Sequence, residues 1–136
     1  MYLVDTSIWL DYLAGRDAPQ VYHLRELLGN PLAVGITDLV LMEILQGARD
    51  QKSFDKLLDY FSGQRIYRFA NPAESHVAAA KIYFDCRRKG VTVRSTVDCL
   101  IAQCAIENEL ILLHHDNDFK TLSGAVKSLR QKHFLR

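Results

Sequence analysis

Short, almost wholly apolar runs alternating with helix-periodic segments are the feature that most restricts the fold. "YLV" (2–4), "LAVGI" (32–36) and "LILLH" (110–114) show no inside-outside alternation, the pattern of strands covered on both faces in parallel sheets. A further strand is predicted around "IYRFA" (66–70) and a fifth at His133 to Leu135. The segments between them carry helical spacing and helix punctuation. "SIWLDYLAG" places Ile8, Trp9, Tyr12 and Leu13 on one face and stops at Gly15. "PQVYHLRELLG" opens with Pro19, repeats Val21, Leu24, Leu27 and Leu28, and stops at Gly29, since proline suits a first turn and glycine the position past the end. Thr37 precedes "DLVLMEILQGA" as an N-cap, and "QKSFDKLLDYFSG" makes a fourth helix. Asn71, Pro72 and Glu74 open the longest helix, which Gly90 ends, and "STVDCLIAQCAIENE" and "NDFKTLS" supply the sixth and seventh. Strands alternating with helices in this way predict an α/β fold: three layers, α/β/α, with a central parallel sheet of four to five strands.

The 136 residues contain no linker, repeat or low-complexity stretch, so a single domain over 1–136 is expected, long enough to bury roughly 70% of its unfolded surface. Hydrophobic residues make up 49% and charged residues 24%, which excludes a disordered or collagen-like chain. No apolar run approaches the roughly 20 residues that cross a bilayer, and no signal-peptide pattern is present. A cytoplasmic protein is expected. Cys86, Cys99 and Cys104 form no C-x-x-C pair, and the five histidines show no H-x-x-x-H spacing, so buried thiols are predicted and neither a disulfide framework nor a transition-metal site. The net charge of +1 is too small to draw nucleic acid by bulk attraction. Such a partner must bind through local patches.

Against this apolar background four acids stand out. Asp5 directly follows the first strand and Asp116 follows "LILL" and His114-His115; in parallel sheets ligands bind beyond the carboxyl ends of the strands, where strand order reverses. Glu43 interrupts "LVLMEIL", and Asp98 begins "DCLIAQCAI". Two carboxylates about 4 Å apart repel by roughly 4 kcal/mol at an effective dielectric of 20, so converging acids without a cation would protonate or splay. A hard divalent ion such as Mg²⁺ or Mn²⁺ resolves the conflict. It points to metal-dependent hydrolysis of a phosphodiester, with nucleic acid as the polymeric substrate.

Four motifs in order, "VDTSIWLDYL", "EILQGA", "TVDCLIAQCA" and "LLHHDNDF", make the chain resemble a PIN-domain ribonuclease along nearly its whole length, and specifically the VapC-type toxins of bacterial toxin–antitoxin pairs. The resemblance implies a PIN-like fold and a Mg²⁺- or Mn²⁺-dependent endoribonuclease. By it, Asp5, Glu43, Asp98 and Asp116 form the acidic quartet that holds the ion, with Asp118 as a water-mediated or outer ligand. Thr6 or Ser7 resembles the family hydroxyl that orients the first Asp. His114-His115 stand where relatives often carry a small polar residue. The resemblance also implies an RNA substrate, a homodimer, and a small antitoxin that places an Arg or Lys in the acidic site. The apolar residues of the first two helices, Trp9, Tyr12, Leu13, Leu24 and Leu28, would divide between core packing and the antitoxin groove.

Each of these residues also has a plainer explanation. Asp5, Thr6 and Ser7 can cap the first helix, and Asp98 can close a capping box behind Ser95. Glu43 can face solvent from an amphipathic helix, and Asp116 and Asp118 can be turn residues. Arg87, Arg88 and Lys89 end the long helix, where its dipole favours them; with Arg94 they are also candidates for RNA phosphate contacts. Other sheet enzymes fail on residues. A haloacid-dehalogenase-like phosphatase needs a second acid where Ser7 stands, a receiver domain needs an Asp ending the third strand, and a dinucleotide binder needs glycines after the first strand. The alternatives that remain are a non-catalytic protein whose acidic cleft binds a basic partner, and a housekeeping RNA-processing nuclease.

Overall fold

Leu3, Val4, Ile36, Leu112 and Leu113 have no appreciable solvent exposure because the strands that carry them are covered from both sides. The computed structural model describes residues 1–136. Strands β1 (Tyr2–Val4), β2 (Val34–Thr37), β3 (Arg65–Tyr67), β4 (Ile111–Leu113) and β5 (Arg130–Lys132) form one parallel sheet in the order β3-β2-β1-β4-β5. Seven helices connect and cover it: α1 (Thr6–Leu13), α2 (Pro19–Leu27), α3 (Asp38–Gln46), α4 (Gln51–Ser62), α5 (Pro72–Arg88), α6 (Thr96–Glu107) and α7 (Asn117–Ala125). No helix is long and apolar enough to cross a membrane.

The strand order places the functional edge. From the central β1 the chain builds outward through β2 to β3, then returns to the other side of β1 for β4 and β5. The order reverses between β1 and β4, and in open parallel sheets ligands bind beyond the carboxyl ends of the strands at such a point. Val4 pairs with Leu113 in register, and Asp5 N–H donates to Leu113 O at 2.9 Å. Asp5 and the "HHD" turn therefore emerge side by side.

Helix ends follow the expected chemistry at several points. Thr37 Oγ1 accepts from Val40 N at 3.0 Å, and Asn71 Oδ1 accepts from Glu74 N at 3.2 Å ahead of Pro72. Gly90 takes a φ of +76° at the end of α5, a conformation costly for side chains with a Cβ. Gly35 is required for another reason. A Cβ there would lie 2.2 Å from the Tyr67 ring, which crosses β2 at that point. All three cysteines are free and buried, and burial pushes the Cys99 and Cys104 thiols up to about 11.

Two strands differ from the sequence expectation. β3 begins at Arg65 and ends at Tyr67, earlier than "IYRFA". β5 is Arg130–Lys132 and not His133 to Leu135. It pairs only with β4, and an edge strand with charged outward residues carries no continuous apolar signal. Trp9 and Leu24 are sealed in the core, so neither offers a docking surface. The exposed apolar side chains in this part of the molecule include Leu10 and Leu13 of α1, Met42 of α3, and Phe54, Leu58 and Tyr60 of α4.

Candidate active site

Asp5 directly follows β1 and caps α1, its Oδ2 accepting from Ser7 N at 3.1 Å and from Ser7 Oγ at 2.7 Å. Capping and a functional role thus coexist in one side chain. It is only 5% exposed, and burial pushes its carboxyl up to about 6. The Ser7 hydrogen bonds oppose that rise, and the negative charge of Glu43 adds to it. Ser7 Oγ also accepts the His115 N–H at 2.9 Å, so one hydroxyl ties Asp5 to the turn after β4. Thr6 does the same for the third helix, its Oγ1 donating to Glu43 Oε1 at 3.1 Å.

Asp98 lies in the first turn of α6, but the capping box is not formed. Ser95 makes no side-chain cap hydrogen bond, and Asp98 is joined to it only through Asp98 N to Ser95 O at 3.2 Å. Its carboxyl is pushed up to about 7, first by burial and then by the charges of Asp5, Asp116, Asp118 and Glu43. Asp116 caps α7, and its Oδ1 accepts from Asp118 N at 2.8 Å. Carboxylate oxygens of Asp98, Asp116 and Asp118 lie within 4.8 Å of one another. The tightest trio therefore includes Asp118, expected only at the periphery, with Asp5 and Glu43 beside it.

Five carboxylates face one region, and Arg94 is the basic side chain paired with any of them, its Nε 3.7 Å from Asp118 Oδ1. An all-oxygen donor set with this surplus of negative charge fits a hard divalent cation and not a thiolate- or imidazole-loving metal. Burial is the main cause of the raised Asp5 and Asp98 carboxyls, and the neighbouring negative charges add to it. The remaining basic candidates are engaged elsewhere. Arg87 and Arg88 lie over the Tyr83 and Phe84 rings, and Lys89 Nζ donates to Ala125 O at 2.8 Å. Only Arg94 of the four is joined to the acidic cluster.

His114 is fully buried, with burial holding its ring below the ordinary histidine value. Its Nδ1 accepts the Asp116 N–H at 3.1 Å, and its Nε2 meets Gln131 Oε1 at 2.7 Å. Sequence reasoning passed over Gln131. The signal that marks it is the alternation Arg-Gln-Lys in β5, in which Gln131 is the inward residue between two exposed ones.

Comparison with known proteins agrees with this geometry. The PIN domain family matches residues 2–125. The chain is 36% identical over 124 residues to Ribonuclease VapC11 of Mycobacterium tuberculosis, covering 90% of this chain and 92% of that one. Among solved structures it resembles VapBC2 from Rickettsia felis bound to a promoter DNA fragment, with a TM-score of 0.73, 22% identity, and 98% of each chain covered. It also resembles a toxin–antitoxin complex from Klebsiella pneumoniae, with a TM-score of 0.69, 19% identity, and 96% and 99% covered. A reversed-order parallel sheet, carboxylates gathered at its switch point and a sequence match over nine-tenths of the length lead to one assignment: the chain belongs to the PIN-domain family, among its VapC-type ribonucleases.

Proposed function

We propose that this ribonuclease is a Mg²⁺- or Mn²⁺-dependent endoribonuclease acting through Asp5, Glu43, Asp98, Asp116 and Asp118, and that it is the toxin of a toxin–antitoxin pair. The observation that supports the reading is the trio Asp98, Asp116 and Asp118, with carboxylate oxygens within 4.8 Å of one another, near enough to Asp5 and Glu43 for their charges to act on Asp98, with Arg94 paired to Asp118. Bound there, the ion would supply an activated water at neutral pH and offset negative charge on the phosphate.

The chain's own residues do the rest. Ser7 holds Asp5 with two hydrogen bonds that favour its ionised form against burial. Thr6 aims Glu43, and the Asp116–Asp118 turn keeps two acids at the fixed separation of a helix cap. Arg94, 79% exposed at the rim, holds an RNA phosphate as the substrate enters, exchanging Asp118 for it. The exposed apolar side chains of α1, α3 and α4 receive the antitoxin, whose Arg or Lys then reaches the carboxylates. Val77 and Phe84, exposed on one side of α5, belong to a homodimer contact. The whole chain acts as one nuclease unit in the cytoplasm, where its RNA substrate lies.

The test is cleavage of total cellular RNA by wild type and Asp5→Asn, with folding followed by thermal melts. An amide of the same shape cannot supply the charge, so the variant should melt as a folded protein and lose most cleavage. Undiminished cleavage by Asp5→Asn would refute the assignment. For the partner, coexpression with the adjacent small reading frame should relieve growth arrest and copurify two chains.

A further inference from the structure

We propose that Gln131 and His114 form a hydrogen-bond relay that positions the Asp116 carboxylate, acting as positioning residues and not as catalytic ones. This rests on the reading of Asp116 as a metal ligand.

The relay follows from donor logic. A backbone N–H can only donate, so the Asp116 N–H requires His114 Nδ1 to be without a proton. The neutral ring then carries its proton on Nε2. That N–H needs an acceptor, and Gln131 Oε1 stands 2.7 Å away. The outer bond thus selects the tautomer that the inner bond needs. The ring has no freedom to do otherwise. Its centroid is 5.4 Å from Phe119 and 5.2 Å from His133, its residue is fully buried, and its own backbone N–H is fixed to Lys132 O at 3.1 Å.

What the relay orients is the start of the acidic turn. Asp116 offers its N–H to His114 and, through Oδ1, accepts from Asp118 N. Fixing the N–H therefore fixes where both carboxylates begin. Without an acceptor at position 131 the Nε2 proton is left unpaired in a buried site and the ring loses one of the two bonds that fix it, so the Asp116 N–H is held less firmly. Gln131 lies on the edge strand β5, outside residues 2–125 matched by the family.

The experiment combines imidazole tautomer assignment by long-range ¹H–¹⁵N NMR with Mn²⁺ titration by calorimetry. Wild type, Gln131→Met and Asp116→Asn are compared, with melting midpoints in chelator recorded for each. Wild-type His114 should be the Nε2-protonated tautomer. Gln131→Met, close in size but offering only a weak sulfur acceptor, should keep that tautomer, which the Asp116 N–H still requires, yet exchange its Nε2 proton faster and bind Mn²⁺ about tenfold more weakly, the loss usual for partners that orient metal ligands. An Nδ1-protonated ring in wild type overturns the relay without any variant. So does Gln131→Met that binds Mn²⁺ as wild type does while Asp116→Asn loses binding, even if it melts lower; the metal-site reading then stands. Asp116→Asn that binds Mn²⁺ normally would instead remove Asp116 from the ligand set, and the relay with it.

Discussion

Thr6 and Glu43, far apart in sequence, are joined by a hydrogen bond in which Thr6 Oγ1 donates to Glu43 Oε1 at 3.1 Å. A hydrogen bond to a charged group contributes about 1.5–3 kcal/mol, and each 1.4 kcal/mol is about a factor of ten. Thr6→Val keeps the shape and removes the donor. It should therefore reduce single-turnover RNA cleavage by about ten- to a hundredfold while leaving the fold intact, and Thr6→Ser should recover most of the rate. A Thr6→Val enzyme with the wild-type rate would show that Glu43 needs no help in aiming.

The two raised carboxyls make stability depend on pH in a definite direction. Asp5 is pushed up to about 6 and Asp98 to about 7, both above the ordinary carboxylate. The folded chain therefore binds more protons than the unfolded one across that window, and stability falls as pH rises through it. His114, held low by burial, acts oppositely, its contribution being lost as pH falls below the ordinary histidine value. Asp98→Asn removes only the Asp98 part. In chelator at about pH 8 it should be more stable than wild type by about 1–3 kcal/mol after screening, the difference fading toward about pH 4. Added Mn²⁺ should stabilise the variant less than wild type, because binding to the native state alone raises stability with the logarithm of ligand concentration over Kd. Thermal melts across pH, with chelator and with Mn²⁺, check both. A variant that melts below wild type at the higher pH would make Asp98 a helix-start residue after all.

The sheet was legible because its inner strands are covered on both faces and spell apolar runs, and the helices because caps such as Thr37 and Asn71 do locally what their chemistry favours. β5 was not, because an edge strand writes Arg130 and Lys132 toward solvent and only Gln131 inward. The acids were visible as charges in apolar surroundings. Their grouping was an expectation from the strand ends and the family resemblance; what spacing alone does not reveal is how closely Asp118 joins Asp98 and Asp116 through the turn geometry of α7. Ser95 shows the converse: a capping-box spacing with no side-chain hydrogen bond. Hydrogen bonds between distant elements, such as Ser7 to His115 and His114 to Gln131, leave no periodic trace in a sequence.

Arg94 and Asp118 form an exposed pair with Nε to Oδ1 at 3.7 Å, and such surface pairs contribute at most about 1 kcal/mol. Arg94→Ala should accordingly melt within a few degrees of wild type. Its effect belongs to substrate binding: KM for RNA should rise, and the log-log salt dependence should flatten by about 0.7, one single-strand phosphate contact. Filter-binding titrations across salt concentrations measure this. An unchanged salt slope would place Arg94 outside the RNA path.

If the carboxylate cluster works only as a cation site, cleavage must follow the ion. Purified protein is stripped with chelator, freed of contaminating nucleases, and assayed on RNA while Mg²⁺ or Mn²⁺ is restored in steps. Cleavage should be absent in chelator, return saturably with the ion, and fail to return in Asp116→Asn. Cleavage by wild type at full rate in excess chelator would contradict the account.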